Sequence, residues 1–267
     1  MTAFYNELDP FAAQWLRNLI DAGHIAPGVV DSRSIEQIKP EELDEYTQVH
    51  FFAGIGAWSY ALRLAGWPDD RPVWTGSCPC QPFSDAGEGR GFDDERHLWP
   101  VFASLISHHR PHVVFGEQVS SKDGLAWFDV VRSDLEGEGY ACGALDTCAA
   151  SVGAPHRRQR LFFVGYADRG VADPDEEGRF VERTARLHGQ GELGDDALRR
   201  GPLHPWGGSD WALCDDPSGP RWRPIEPGTF PLAHGAPDRV GRLRGYGNAI
   251  VPQVAAEFVG AFLEVTA

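Results

Sequence analysis

Apolar residues recur at Phe11, Ala12, Trp15, Leu16 and Leu19, the period of an amphipathic helix over residues 10–19. Asp9 and Pro10 supply a suitable cap and first helical position. Residues 50–53 form a short unbroken apolar run that reads as a buried strand; Gly54-Ile55-Gly56 follows, then a helical pattern reaching residue 64. The same alternation continues with a strand at 72–76, a helix over 97–108 (Leu98, Val101, Phe102, Leu105, Ile106), a strand at 111–115, a helix over 124–136 and a strand at 159–164. Strands alternating with helices predict an α/β fold, a parallel sheet covered by helices on both faces. From residue 166 the periodicity weakens and Gly, Pro, Asp and Trp abound, which predicts a loop-rich lobe over 166–239. Regular patterning returns with Gly247-Asn248 and a closing helix over 251–263. The expected division is therefore a main domain of residues 1–165 and 240–267, interrupted by the small lobe.

Composition narrows the class. A chain of 267 residues with 42% hydrophobic content can bury a full core. It contains no apolar run near the ~20 residues of a membrane span, and no basic start followed by an apolar stretch, so neither a membrane partner nor a signal peptide is expected. The odd set Cys78, Cys80, Cys142, Cys148 and Cys214 fits reduced thiols of the cytoplasm better than a disulfide frame. Cys78-Pro79-Cys80 is too tight for zinc spacing, so no metal is expected. The net charge of −15 argues against nucleic acid until its distribution is considered. Residues 1–50 hold nine acids and three bases, whereas 219–250 hold five arginines (Arg221, Arg223, Arg239, Arg242, Arg244) against Glu226 and Asp238. Nearly all positive charge is arginine, the better bidentate partner for phosphate and guanine.

Four segments carry candidate chemistry. Pro79-Cys80-Gln81-Pro82-Phe83 holds a thiol on a stiff turn just past a strand, where a nucleophile is presented. Phe52-Ala53-Gly54-Ile55-Gly56 joins a strand to a helix and leaves the helix N-terminus open to a ligand, although alone it is also an ordinary tight turn. Gly116-Glu117-Gln118-Val119 follows a strand and puts a carboxyl at a sheet edge; alone, Glu117 is also an ordinary surface acid. In Arg158-Gln159-Arg160 the two arginines alternate, so on a strand they share a face.

Together with Gly247-Asn248-Ala249-Ile250-Val251-Pro252, these segments closely resemble, in order, the motifs of the DNA cytosine-5 methyltransferases, a family with a Rossmann-like S-adenosylmethionine-dependent methyltransferase sheet. The resemblance implies that Cys80 is the nucleophile, that Glu117 acts at cytosine N3, that Arg160 reaches cytosine O2 and that Arg158 holds Glu117 or the cysteine loop. It implies cofactor contacts from Phe52, Ala53, Gly54, Ile55, Gly56, Pro79 and Asn248. Gln81, Ser84 and Arg90 near the nucleophile, and Arg221, Arg223 and Arg239 in the small lobe, are the expected DNA contacts. Four positions depart from the family pattern: His50 where Asp is common, Ala57 for Gly, Gln118 for Asn and His156 for Gln.

The interval between the Gly loop and Cys80 is short. It holds one helix and one strand, where the family usually has two further strands and the acid that binds the cofactor ribose. Tyr5-Asn6-Glu7-Leu8-Asp9-Pro10 and Asp31-Ser32-Arg33-Ser34-Ile35 resemble those missing segments, moved to the front of the chain. On that reading Glu7 binds the ribose hydroxyls, Leu8 flanks adenine and Asp31 or Ser34 touches its edge; the alternative is an unrelated acidic cap over residues 1–48. The resemblance as a whole implies a compact, phage-type enzyme that acts as a monomer on double-stranded DNA in the cytoplasm of a bacterium or infected host. It flips the target cytosine and methylates C5 from S-adenosyl-L-methionine. Two alternatives stay open: methylation of transfer RNA, and a non-catalytic DNA-binding relative.

Overall fold

The computed structural model describes residues 3–79, 98–154, 158–167, 210–214, 221–225 and 247–266. In chain order the elements are β1 (Ala3–Asn6), α1 (Pro10–Asp21), β2 (Gly28–Asp31), β3 (Gln48–Phe51), α2 (Ala57–Leu64), β4 (Val73–Gly76), α3 (Trp99–His109), β5 (Val113–Val119), α4 (Lys122–Gly137), β6 (Ala141–Cys148), β7 (Gln159–Tyr166), β8 (Asp210–Cys214), β9 (Arg221–Ile225) and α5 (Pro252–Val265). The first seven strands make one sheet in the order β2-β1-β3-β4-β5-β7-β6, and β8 and β9 pair antiparallel in a second, two-stranded sheet.

The sheet is parallel from β2 through β5. It departs from the expected all-parallel form at β7, which runs antiparallel to both β5 and β6. The chain between β6 and β7 contains only a 3-10 turn at Ala149–Val152, too short for the crossover helix that a parallel return requires. Residues 3–6 and 28–31 fill the two sheet positions beyond β3, so the first four strands lie side by side as β2-β1-β3-β4. A Cβ at Gly28 would stand 2.1 Å from the Ala3 carbonyl oxygen, so the β1–β2 edge closes only with glycine there.

Alternation along the strands feeds two layers. Phe4, Val49, Phe51, Trp74, Val114 and Phe163 face α3, α4 and the 3-10 segments at 35–43. Val73, Val113, Phe115, Phe162 and Val164 face α2 and α5, while Ala3 and Tyr5 meet Leu16 of α1. Phe115 is the aromatic hub of the second layer, its ring meeting Trp58, Trp67, Phe258 and Phe262. α1 starts where the sequence predicts: the Asp9 carboxylate accepts from the N–H groups of Phe11 and Ala12 at 2.9 and 3.1 Å. Among the described residues no helix is long and apolar enough to cross a membrane.

His50 occupies the centre of this sheet. It is 1% exposed, stacks on Tyr5 at 4.9 Å between ring centroids, and its Nδ1 lies 2.8 Å from Thr75 Oγ1. Nε2 is buried without a hydrogen-bond partner. Burial holds the imidazole neutral, with its pKa lowered to about 3. Below the unfolded-state value near 6.5 the unfolded chain takes up a proton that the folded chain refuses, so stability falls as pH drops from about 6.5 toward 3. Denaturant unfolding should therefore show a loss of about 2 kcal/mol between pH 7 and pH 5 from this residue alone. His50→Asn should flatten that part of the profile; an unchanged slope would remove His50 as its source.

Candidate functional site

The C-terminal ends of β1, β3, β4 and β5 open onto one cavity of about 820 Å³, within the size range of small-molecule and cofactor sites. Its wall brings together segments distant in sequence: residues 6–12, 33–36, 52–55, 77–79, 117–119, Arg160 and 247–250. Topology makes this possible, because parallel strands deliver their following loops to the same sheet edge.

At one end lies the carboxyl group. Glu117 is the fifth residue of β5, inside the strand rather than after it. Antiparallel pairing sets Glu117 opposite Phe162 and Val119 opposite Arg160, so Arg160 reaches diagonally across the same face. Its Nε stands 2.8 Å from Glu117 Oε1. Glu117 is 7% exposed, and burial raises its pKa above the ordinary carboxylate range; Arg160, a hydrogen bond from Ser77 and Arg158 pull in the other direction without overcoming burial. A carboxyl poised in this way can both hold and give a proton.

The Arg158 guanidinium donates to the carbonyls of Gly247 and Ala249 at 2.8 and 2.5 Å. It thereby ties the turn before α5 to the start of β7. Burial, then the neighbouring Arg160, lowers its pKa, and Glu117 opposes them, so the electrostatic link to the carboxyl persists at a distance.

The thiol side is partly described. Pro79 lines the cavity. Cys80, Gln81, Ser84, Arg90, His156 and Arg239 lie outside the described residues, and Arg221 and Arg223 are placed only as backbone of β9. Cys78 sits inside the hydrophobic layer at 6% exposure, and burial pushes its thiol pKa up. It is thus unsuited to be a thiolate nucleophile, leaving Cys80 as the candidate on this loop.

At the other end, β3 passes into the turn Phe52–Gly56. Phe52, Gly54 and Gly56 all have positive φ, at 52°, 55° and 82°. For Phe52 this is an uncommon conformation of an aromatic residue, the kind of local strain found at ligand sites. A Cβ on Gly54 would meet only the Phe52 carbonyl, at 4.0 Å, so the turn leaves room on the cavity side. Gly56 is different. It is not part of the wall, and a Cβ there would come within 3.1 to 3.3 Å of Leu16, Ile25 and Leu19, so it is the seat of α1 rather than a ligand contact.

The N-terminal segment converges on this turn. Glu7 Oε2 accepts from the Gly54 N–H at 2.7 Å and Oε1 from the Asp9 N–H at 2.8 Å, joining the β1 and β3 loops. Leu8 lines the cavity at 66% exposure, an apolar surface without a protein cover. Ser34 is also on the wall, with its hydroxyl donating to Glu36 at 3.0 Å. Asp31 is not on the wall. It pairs with Arg33 at 2.6 Å, and although burial opposes it, that partner holds the carboxyl below its usual range. Arg33 takes its place on the wall, and Asn6 fixes the turn by donating to the Arg33 carbonyl at 2.8 Å. Ala53, Ile55 and Asn248 line the cavity, Asn248 with an exposed side chain.

Several wall residues were not singled out from the sequence as candidate site residues: Asn6, Phe11, Ile35, Glu36, Trp58, Ser77 and Leu98. Ser77 follows the end of β4, and its partner Trp58 lies 19 residues away in sequence.

Residues 66–186 match the family model described as C-5 cytosine-specific DNA methylase. The match covers under half of the chain, and with the Type II methyltransferase relatives it supports a DNA cytosine-5 methyltransferase family. It is 29% identical over 134 residues to the Type II methyltransferase M.NgoBI of Neisseria gonorrhoeae, covering 48% of this chain and 42% of that protein. It is 26% identical over 179 residues to M1.ScrFI of Lactococcus lactis subsp. cremoris, covering 64% and 44%. The chain thus spans less than half the length of these curated relatives. Among solved structures, a mutant of Spodoptera frugiperda DNMT2 aligns with a TM-score of 0.43 and 14% identity over 62% of this chain and 42% of that one. The chain carries a mixed α/β sheet with its candidate carboxyl, arginine and glycine turn in one cavity.

Proposed function

We propose that this chain methylates C5 of cytosine in duplex DNA, using Cys80, Glu117 and Arg160. The observation that carries this reading is the buried Glu117–Arg160 pair facing the same cavity as Pro79 and the Gly54 turn. The cavity suits S-adenosyl-L-methionine in its donor set: a carboxylate on the wall (Glu7), an exposed apolar side chain (Leu8) and an open glycine turn. Phe52, Ala53, Gly54, Ile55, Pro79 and Asn248 would line it, with Glu7 at the ribose, Leu8 at adenine and Ser34 at its edge; Asp31 would act through Arg33. When bound, S-adenosylmethionine supplies an electrophilic methyl group.

Cytosine C5 is a weak nucleophile. The Cys80 thiolate adds to C6, forming an S–C6 bond and pushing electron density to C5, while Glu117 delivers a proton toward N3 and Arg160 holds O2. After C5 is substituted, its proton passes to a solvent water, N3 returns its proton to Glu117, the S–C6 bond breaks and the thiolate is restored. This covalent route divides one difficult step into easier ones. A flipped base is required, at a cost of a few kcal/mol. Residues 166–239, with Arg221, Arg223 and Arg239, are proposed to read the target sequence, and the kinship with bacterial Type II methyltransferases supports a cytoplasmic setting. The N-terminal β1–β2 unit is proposed to be the displaced ribose and adenine part of the family domain.

Purified protein incubated with methyl-labelled cofactor and either duplex DNA or transfer RNA provides the test. Labelled cytosine in duplex DNA is expected, with Cys80→Ser losing transfer while retaining cofactor binding. Transfer by Cys80→Ser at the parent rate would overturn the nucleophile assignment, and labelling of transfer RNA alone would overturn the substrate.

A further inference from the structure

Glu117 has a third polar neighbour whose role neither the motif pattern nor the family model assigns. The Trp58 indole Nε1 donates to Ser77 Oγ at 3.0 Å, and Ser77 and Glu117 directly follow Gly76 and Gly116, which are paired between β4 and β5, so the hydroxyl and the carboxyl lie side by side on the cavity wall. Direction follows from chemistry. Indole N–H is donor only, so Ser77 Oγ is the acceptor in that contact, and the single hydroxyl hydrogen is left for the carboxylate. Trp58 is held in turn: its ring stacks on Phe115 at 6.0 Å and meets Phe162 edge-on at 5.9 Å. It belongs to α2, the helix that opens at the Gly56 end of the glycine turn. A fixed indole therefore fixes the hydroxyl beside the proton-bearing group.

We propose that Ser77, oriented by Trp58, is a positioning residue for Glu117 that sets the pH at which this carboxyl gains its proton. The charged groups facing Glu117 are Arg160 and Arg158, both from the β7 side; Ser77 approaches from the end of β4. Donation from a hydroxyl favours the carboxylate over the acid, whereas burial favours the acid. Ser77 is thus the neutral counterweight that keeps Glu117 within reach of both forms. The consequence for methyl transfer rests on the cytosine-5 reading proposed above; the effect on proton affinity does not.

The test is an NMR titration of protein labelled with ¹³C at glutamate side-chain carboxyls, with Glu117 assigned through Glu117→Gln. Ser77→Ala should raise the proton affinity of Glu117 about tenfold. Trp58→Phe keeps an aromatic ring against Phe115 and Phe162 but lacks the N–H, and should raise it about threefold. In the double variant the affinity should equal that of Ser77→Ala alone, because Trp58 acts only through Ser77. A merely structural role would not give this cancellation, and thermal midpoints verify that each variant folds. Unchanged titration of Glu117 in Ser77→Ala, or a Trp58→Phe effect that persists at full size without Ser77, would overturn the proposal. The pH profile of cytosine methylation should move in step with the titration. If the parent protein methylates no cytosine at any pH, the functional reading fails while the titration still decides the role of Ser77.

Discussion

Glu117→Gln should lower cytosine methylation about a hundred- to ten-thousandfold while cofactor affinity stays within about twofold. Glutamine has nearly the same shape, so β5 and its pairing to β7 keep their packing, and an amide oxygen can still accept from Arg160. What disappears is the exchangeable proton. The carboxyl lies inside a strand at 7% exposure, with Arg160 Nε at 2.8 Å, in a setting where burial raises its proton affinity and three neighbours restrain the rise. An amide cannot take either half of that balance. The loss should appear in turnover rather than in cofactor binding, because Glu117 and the Glu7–Gly54 contact occupy different parts of the cavity wall. Single-turnover methyl transfer and calorimetric cofactor binding measure the two quantities separately. Near-parental turnover would show that Glu117 is not the proton-bearing group.

Glu7→Ala should weaken S-adenosylmethionine binding about a hundredfold, with methyl transfer at saturating cofactor within a few-fold of the parent. Two losses combine. The carboxylate that would meet the ribose hydroxyls is removed, and the Gly54 and Asp9 N–H groups lose the acceptor that ties the β1 and β3 loops together. Hydrogen bonds to a charged group contribute about 1.5–3 kcal/mol each, so losing two to a ligand is enough for the stated effect. Unchanged affinity would mean that the front of the chain is a cap unrelated to the cofactor, despite its position in the sheet.

The elements with clean periodicity were legible in the sequence. α1 starts at the Asp9–Pro10 cap, and the strands around Phe51, Trp74, Val114 and Phe163 fall where their apolar runs predict. β6 was not legible. Ala141–Cys148 mixes glycine, cysteine and aspartate on an edge strand with much of its surface open, so neither alternation nor a buried run marks it. The reversed direction of β7 follows from that omission, since the short β6–β7 connection is what forbids a parallel return. In the site, Glu117, Arg160 and the Gly54 turn, all singled out in the sequence, meet at one cavity. Partners set by folding were not legible. Arg158 turns to the 247–249 carbonyls, Asp31 turns to Arg33, and Ser77 meets Trp58 across the β4–α2 gap. Each of these choices depends on which acceptor the tertiary structure brings near, and spacing along the chain does not encode that.

The strand order β2-β1-β3-β4 brings Glu7 to Gly54 across 47 residues of sequence, because packing depends on which strands touch rather than on their order along the chain.

Bisulfite sequencing of DNA from cells expressing the protein decides whether it methylates cytosine in duplex DNA. Cytosines protected from conversion at one recurring sequence context, and converted again in cells expressing Cys80→Ser, are the predicted result. Complete conversion at every site in cells that accumulate the folded parent protein would contradict it.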